Sequence, residues 1–287
     1  MSTRSGILAE IGRRKRWERE RLRDALRGNL RVDPESQWLP PPEMLAQARR
    51  YLKEGGCERQ RRPFAPTLQD KKQLCVIAEI KRQSPSAGRF ADWEQPEDLA
   101  EQYTQGGANA ISVLTDAHFF GGAPSFVERT RAVFPGPVLR KDFLDDEADL
   151  AISAAMGADA VLLIVRLVGT RTAHLLRLAR CYDLDTLVEV HDERELELAM
   201  ASAAPVLGIN NRNLDDFSID LSRSEELMAR IPRPIAVVSE SGISSRAQAE
   251  RMRRAGADAV LVGQALAEHH GKGLQELRVE MTRGHRR

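Results

Sequence analysis

Charged side chains at the ends of apolar stretches are the residues of this sequence best suited to acid–base chemistry. Residues 76–80 are typical of a buried strand, and small and hydroxyl-bearing residues follow at 84–88. Side chains alternate between the faces of a strand, so we expect Glu79 and Lys81 on one face and Ile80 on the other. One such ion pair is common where a strand reaches water. A functional site is indicated only if other strands bring matching groups to the same place.

Four later strands of the predicted sheet end in a similar manner. Lys141 lies near the end of the third, Glu189 near the end of the fifth and Asn210 at the end of the sixth, and Glu240 directly follows the seventh. For any one strand, a solvent-exposed charged end is the simpler interpretation. It does not account for five strands, because each charge that is buried without a partner costs several kcal/mol. Ammonium groups and carboxylates around one cavity would supply both partners of general acid–base catalysis.

Two glycine-containing loops near the end of the chain suggest an anion site. Ser241 and Gly242 follow the seventh predicted strand, and Gly263 and Gln264 follow the eighth. Glycine lets backbone N–H groups approach phosphate oxygens, and these two loops form the recurrent phosphate site of barrels. The alternative interpretation is two ordinary glycine turns.

The elements that must position these residues alternate from residue 74 onward. Apolar strands and amphipathic helices in this order are typical of a parallel sheet covered by helices. Strands are expected at 75–80, 110–114, 138–142, 160–165, 185–190, 206–210, 234–239 and 259–262. Helices are expected at 96–105, 125–133, 146–156, 170–181, 192–202, 222–230 and 245–254, with a last one at 273–281.

An internal repeat distinguishes a closed barrel from an open sheet. The turn Gly-Ala-Asn/Asp-Ala occurs at 107–110, 157–160 and 256–259, spaced by 50 and 99 residues, and each copy precedes a predicted strand. These spacings are one and about two periods of a barrel built from quarters, each of two βα units. No G-x-G-x-x-G follows the first strand, which argues against a doubly wound sheet. We therefore predict the α/β class and a (β/α)8 TIM barrel, with its active site at the C-terminal ends of the strands.

The segment before the barrel is basic. We expect residues 1–73 to form a helical extension packed on the barrel of residues 74–287, as one structural domain. The first 31 residues carry ten basic and four acidic side chains, with apolar residues at helical spacing. An anionic partner or a transit peptide is the alternative, but transit peptides lack acidic residues. We expect this segment to cover the barrel mouth.

Composition limits the class of protein. The chain has 287 residues and a formal net charge of +1, which gives no electrostatic support for wholesale nucleic-acid binding. No apolar run reaches the roughly 18 residues of a membrane span. Cys57, Cys75 and Cys181 form no C-x-x-C pair, which fits a reducing cytosol, and the six histidines show no metal-ligand spacing. We expect a cytoplasmic protein without nucleic-acid, membrane or metal partners.

Five motifs at predicted strand ends resemble the indole-3-glycerol phosphate synthase family. They are A-E-I-K-R-x-S-P-S at 78–86, L-R-K-D-F at 139–143, L-V-E-V at 187–190, G-I-N-N-R-N-L at 208–214 and S-E-S-G-I-S at 239–244. V-L-T-D at 113–116, with Phe120 and two glycines, also matches. After Gly263 the family usually has Glu or Ser and then Leu-Met, where this chain has Gln264 and Ala-Leu-Ala.

The resemblance implies a carbon–carbon lyase without metal or organic cofactor. Its substrate would be the small phosphorylated compound 1-(2-carboxyphenylamino)-1-deoxyribulose 5-phosphate, which closes to an indole with loss of CO2 and water. The implied catalytic residues are Glu79, Lys81, Lys141, Glu189, Asn210 and Ser241. The implied substrate-binding residues are Ser84, Phe120, Phe143, Leu162, Ile164, Arg212, Leu214 and Glu240. The implied phosphate-binding residues are Lys81, Ser241, Gly242, Gly263 and Gln264.

Within this set, Lys141 matches the family's general acid and Glu189 its base, and Glu79 would hold Lys81. Which lysine serves which proton transfer is open at this stage, and so is the oligomeric state, with a monomer favoured. One alternative is another phosphate-binding barrel, such as the isomerase of the same pathway, which usually relies on a Cys/Asp or Asp/Asp pair. A catalytically inactive barrel with a regulatory role is the other alternative, and the presence of Lys141 and Glu189 argues against it.

Overall fold

The computed structural model describes residues 6–30, 38–69, 73–213, 216–268 and 273–279, and these residues form a closed eight-stranded barrel. All neighbouring strands of the barrel are parallel, and the last pairs with the first. The strands are β1 (Cys75–Ile80), β2 (Ala110–Leu114), β3 (Val138–Lys141), β4 (Ala160–Ile164), β5 (Asp185–Val190), β6 (Val206–Asn210), β7 (Ala236–Glu240) and β8 (Ala259–Val262). The predicted TIM barrel is therefore confirmed.

Helices surround the barrel and precede it. They are α1 (Gly6–Arg27), α2 (Pro42–Glu54), α3 (Phe64–Thr67), α4 (Pro96–Gly106), α5 (Ala117–Phe120), α6 (Ser125–Val133), α7 (Glu147–Ala155), α8 (Val165–Val168), α9 (Thr172–Cys181), α10 (Glu193–Ala201), α11 (Ser222–Met228), α12 (Arg246–Ala255), α13 (Gln264–Ala267) and α14 (Leu274–Leu277). No described helix is both long enough and apolar enough to cross a lipid bilayer.

Several predicted boundaries differ from the structure by one or more residues, and two of the differences have a structural consequence. The seventh strand is Ala236–Glu240 rather than 234–239, so Glu240 belongs to the strand itself. The last helix was expected at 273–281, but α14 ends at Leu277 and Arg278 is extended. The backbone carbonyl of Val279 instead accepts a hydrogen bond from the N–H of Leu74, 2.8 Å away, which draws this segment alongside the start of β1. A tertiary bond thus replaces the continued helix.

The repeated turn fastens successive strands together at the N-terminal end of the barrel. In each copy, the Asn or Asp side chain accepts a hydrogen bond from a backbone N–H of the preceding odd-numbered strand. The pairs are Asn109 with Val76 (3.0 Å), Asp159 with Val138 (2.9 Å) and Asp258 with Val237 (2.9 Å). These N–H groups would otherwise lie buried without a partner, which costs about 1–3 kcal/mol each. This end of the barrel therefore contributes stability.

Alternation along β1 follows the prediction. Ile77 packs with the residues that fill the barrel, such as Leu139 and Leu187. Ile80 packs in the outer layer between the strands and the helices. Glu79 is buried on the inner side, and Lys81 follows it into the barrel mouth.

The N-terminal helix α1 docks on the barrel through charge. The Lys15 ammonium lies 2.6 Å from Asp116 and 2.7 Å from Asp142, and it is only 7% exposed. Burial alone would lower the pKa of Lys15, but the surrounding carboxylates outweigh burial and raise that pKa well above its ordinary value. Arg19, one turn further along α1, pairs with Asp145 at 2.7 Å. The basic face of α1 therefore meets the acidic loops that follow β2 and β3.

Candidate active site

A cavity of about 550 Å³ opens at the C-terminal ends of the strands. All the predicted site residues line it except Leu214, which lies outside the described residues. Those around the cavity are Glu79, Lys81, Ser84, Phe120, Lys141, Phe143, Leu162, Ile164, Glu189, Asn210, Arg212, Glu240, Ser241, Gly242, Gly263 and Gln264. The barrel thus gathers residues that are spread over most of the sequence.

The end of β1 carries a tight ion pair. The Nζ atom of Lys81 lies 2.7 Å from Oε1 of Glu79, and Ser112 on β2 lies 3.5 Å from the other carboxylate oxygen. Burial alone would raise the pKa of Glu79, but the ammonium groups of Lys81 and Lys141 outweigh it, so this pKa lies below its ordinary value. Glu79 is therefore a permanent anion that holds Lys81 at the mouth.

Lys141 lies between two further carboxylates. Its Nζ atom is 3.6 Å from Oε2 of Glu189 and 3.5 Å from Oε2 of Glu240. Burial opposes the charged form of Lys141, but Glu240, Glu189 and Glu79 outweigh it and raise the pKa of this lysine. Burial and the neighbouring carboxylates raise the pKa of Glu240 to about 8, against the opposing effect of Lys141. The site therefore holds a protonated lysine beside one carboxyl group that titrates near neutral pH.

The two oxygens of Glu189 have different surroundings. Oε1 accepts a hydrogen bond from Nδ2 of Asn210 at 3.2 Å and lies 3.3 Å from Nε2 of His191. Oε2 accepts no hydrogen bond from the described part of the chain and faces Lys141. Glu189 thus lines the cavity with one oxygen that accepts no hydrogen bond in the described part of the chain.

His191 was missing from the predicted site. It lies two residues after Glu189, so the alternation of side chains along a strand was the signal that could have identified it. Ile7 and Ile11 of α1 were also not predicted as lining residues, although the extension was expected to cover the mouth. Sequence spacing carries no information on which residues of a distant helix reach the cavity.

Loop geometry at the ends of β7 and β8 suits a close approach to the backbone. Ser241 and Gly242 have positive φ angles of 70° and 81°. A Cβ atom on Gly263 would lie 2.5 Å from Oε1 of Glu79 and 2.9 Å from Nζ of Lys81, so a larger residue there would displace this ion pair. The side-chain amide of Gln264 donates to Glu268 at 2.8 Å. One of the two N–H donors of this amide is therefore engaged, and the backbone N–H groups of the two loops are the donors that glycine lets approach an anion.

Apolar side chains form the opposite wall of the cavity. The rings of Phe120 and Phe143 lie 6.1 Å apart between centroids, and Leu162 and Ile164 project from β4. Ile11 of α1 adds to this wall. An apolar wall facing a few convergent polar groups is the usual form of a site for an aromatic ligand.

Known proteins resemble this chain in sequence and in fold. A family model described as indole-3-glycerol phosphate synthase matches residues 43–277. A protein of that family name, numbered 2, from Streptomyces coelicolor is 46% identical over 206 residues, covering 71% of this chain and 80% of the relative. Its namesake from Burkholderia multivorans is 42% identical over 232 residues, covering 79% and 89%. Thiamine phosphate pyrophosphorylase from Pyrococcus furiosus superposes with a TM-score of 0.53 at 20% identity, covering 71% of this chain and 93% of that one, which is a likeness of fold alone.

Proposed function

From the premise that the chain belongs to the indole-3-glycerol phosphate synthase family, we propose a role for each charged group at the barrel mouth. The family's reaction, and this chain's, closes 1-(2-carboxyphenylamino)-1-deoxyribulose 5-phosphate to indole-3-glycerol phosphate with loss of CO2 and water. The observation that carries our assignment is the position of Lys141, which lies between Glu189 and Glu240 in one buried cluster.

Substrate binding uses the two ends of the cavity. The phosphate is held by backbone N–H groups of the loops at Ser241–Gly242 and Gly263–Gln264, with Lys81 as the nearby cation. The carboxyphenyl ring lies against the apolar wall that contains Phe120 and Phe143. This orientation brings the keto group of the sugar chain towards Lys141.

Ring closure needs an acid. As the ring carbon attacks the keto carbon, the keto oxygen gains negative charge, and Lys141 gives it a proton. The carboxylates around Lys141 raise its pKa, so the ammonium form that this step needs is present at neutral pH. Loss of CO2 then restores the aromatic ring. Lys81 neutralises the substrate's anionic groups up to this point, and Glu79 holds Lys81 in place.

Loss of water needs a base. Glu189 removes a proton from the newly formed ring as the hydroxyl group leaves. Its oxygen Oε2, which accepts no hydrogen bond in the described part of the chain, is the atom that receives this proton. The leaving hydroxyl takes its proton from an ammonium group. Asn210 keeps the other oxygen of Glu189 in place. The double bond of the indole forms in this step.

We further propose that the enzyme acts as a monomer in the cytosol, on this small phosphorylated substrate and without a nucleic-acid partner. Cys57, Cys75 and Cys181 all lie in the described part of the chain and form no disulfide there, which supports a reducing compartment. Sedimentation analysis of the purified protein tests the oligomeric state, and a stable dimer would overturn the monomer.

Turnover of the carboxyphenylamino substrate, followed by indole fluorescence, tests the assignment. Loss of a general acid costs on the order of 10²–10⁴-fold in rate, so Lys141→Ala should lose kcat with little change in KM. Lys81→Ala should raise KM and lower kcat, because Lys81 neutralises an anion in the ground state as well. Lys53→Ala, at an exposed position of α2, is the matched control. If Lys141→Ala kept its kcat and only KM rose, the acid would have to be Lys81.

A further inference from the structure

His191 is a buried titratable group that the mechanism above leaves unused. Its side chain is 1% exposed and lies between two carboxylates. Nε2 is 3.3 Å from Oε1 of Glu189, and Nδ1 is 3.1 Å from Oε2 of Glu195. A histidine buried only for packing would need one polar partner for its N–H group, whereas this ring has a carboxylate oxygen at each nitrogen.

The outer carboxylate is held as an anion. Oε2 of Glu195 also accepts the backbone N–H of His191 at 2.7 Å, and Oε1 accepts from Nε of Arg166 at 2.8 Å. Burial alone would raise the pKa of Glu195, but the hydrogen bonds from His191 and Arg166 outweigh it and lower that pKa. An anionic Glu195 requires a proton on Nδ1 of His191, so Nδ1 is the donor of the hydrogen bond between the two side chains.

The inner nitrogen faces the proposed base. Nε2 makes no hydrogen bond in the described part of the chain, and Oε1 of Glu189 lies 3.3 Å from it. If Nε2 lacked a proton, its lone pair would lie beside a carboxylate oxygen in a buried place, which is unfavourable. A protonated Nε2 removes this repulsion and completes a line of alternating charges from Arg166 through Glu195, His191 and Glu189 to Lys141.

We propose that His191 is a positioning residue that donates from Nε2 to Oε1 of Glu189 and so directs Oε2 towards the substrate. The inference rests on the proposed role of Glu189 as the base. Asn210 and His191 then approach Oε1 from the protein side, and Oε2 is left for proton removal. No proton passes through His191, which acts only by holding the carboxylate. Asp192, 3.7 Å from Arg166, is the remaining acidic group on this line.

Three variants test the proposal by steady-state kinetics. His191→Leu removes the donor to Glu189, and a misplacement of about 1 Å can cost on the order of 100-fold in rate, so kcat should fall by this order while KM changes little. His191→Gln places an amide N–H near the position of Nε2 and should recover most of the lost kcat. His174→Gln, at an exposed position of α9, is the control and should match the wild type.

A spectroscopic measurement tests the protonation state directly. In protein labelled with ¹⁵N-histidine, both ring nitrogens of His191 should show the shifts of protonated nitrogen at neutral pH, and the missing signal in His191→Gln provides the assignment. In Glu189→Gln the side-chain amide can donate to Nε2, so Nε2 should change to the shift of an unprotonated nitrogen while Nδ1 stays protonated. This readout does not depend on turnover, and a role in packing alone would not change it.

The outcomes separate this inference from the function on which it rests. A wild-type protein without turnover would overturn the proposed function itself. An active wild type with a His191→Leu variant of equal kcat would overturn only the positioning role. A neutral ring in the wild type, or a His191→Gln variant as slow as His191→Leu, would also overturn it. If His191→Leu failed to fold, the His191→Gln kinetics and the nitrogen shifts would still show whether His191 positions Glu189.

Discussion

Lys15→Met is the substitution that tests how far the barrel depends on its N-terminal helix. The methionine keeps most of the length of the side chain but removes the ammonium that lies 2.6 Å from Asp116 and 2.7 Å from Asp142. Removing one member of a buried ion pair typically costs 3–5 kcal/mol, because the partner stays buried and charged. We expect the lower end, about 3 kcal/mol. Burial and Asp142 already raise the pKa of Asp116, so this carboxyl can take up a proton when the ammonium is gone.

Acidity should change the size of this effect. Burial alone would raise the pKa of Asp142, but Lys15 and Arg140 outweigh it and hold that pKa well below its ordinary value. A carboxyl whose pKa is lowered by folding stabilises the protein above its unfolded pKa of about 3.9, and this stability is lost as the pH falls further. The difference in stability between the wild type and Lys15→Met should therefore be full at pH 7 and shrink in strong acid.

Urea unfolding at pH 7 measures the loss, and tryptophan fluorescence reports the region concerned. Trp17 on α1 packs on Trp38, with 5.2 Å between ring centroids, so two of the three tryptophans report the docking of α1. The matched control is Lys53→Met, at an exposed position of α2. Adding Asp116→Asn to Lys15→Met should restore part of the stability, since it removes one unpaired carboxylate. The catalytic effect should be a raised KM, because Ile11 on the same helix lines the cavity.

A loss below about 1 kcal/mol, the range of exposed ion pairs, would refute this reasoning. An unchanged KM together with the stability of the wild type would also refute it. In that case α1 would lie on the barrel without supporting the site, and the contacts of Lys15 would be replaceable by water.

Three further outcomes follow from single side chains. Gly263→Ala should lower kcat/KM strongly, because the added Cβ would lie 2.5 Å from Oε1 of Glu79. Gln264→Ala should lower kcat/KM only slightly. Equal losses in the two variants would show that the amide of Gln264 binds the phosphate. Asp159→Ala should destabilise the barrel by about 3 kcal/mol in urea unfolding without changing kcat, since it removes charged hydrogen bonds far from the cavity. A lower kcat in the folded variant would contradict a purely structural role. Burial raises the pKa of Glu240 to about 8, so the folded state binds this proton more tightly and loses stability as the pH rises from about 4.3 towards 8. Glu240→Gln should remove that loss, and an unchanged pH dependence of unfolding would show that Glu240 has an ordinary pKa.

Local patterns in the sequence were enough to predict most elements and the faces of the strands. Apolar runs and the two-residue alternation on β1 predicted that Glu79 and Lys81 lie at the mouth and Ile80 outside, as the structure has them. The spacing of the repeated Gly-Ala-Asn/Asp-Ala turn predicted a closed barrel, and in the structure each copy accepts a hydrogen bond from the preceding odd-numbered strand. Such features depend on neighbours within a few positions or on a fixed period, and these can be read along the chain.

The tertiary structure alone decided which charges from distant parts of the chain face each other. Lys15 meets Asp116 and Asp142 across more than a hundred residues, and no local pattern selects that pairing among the many charges of α1. The same holds for Glu240, whose pKa depends on burial and on Lys141. Desolvation and Coulomb interactions depend on distances through space, which exist only once the barrel has closed. The sequence therefore determined the candidate acids and bases, and the folded structure determined which of them are charged and towards which atom each one points.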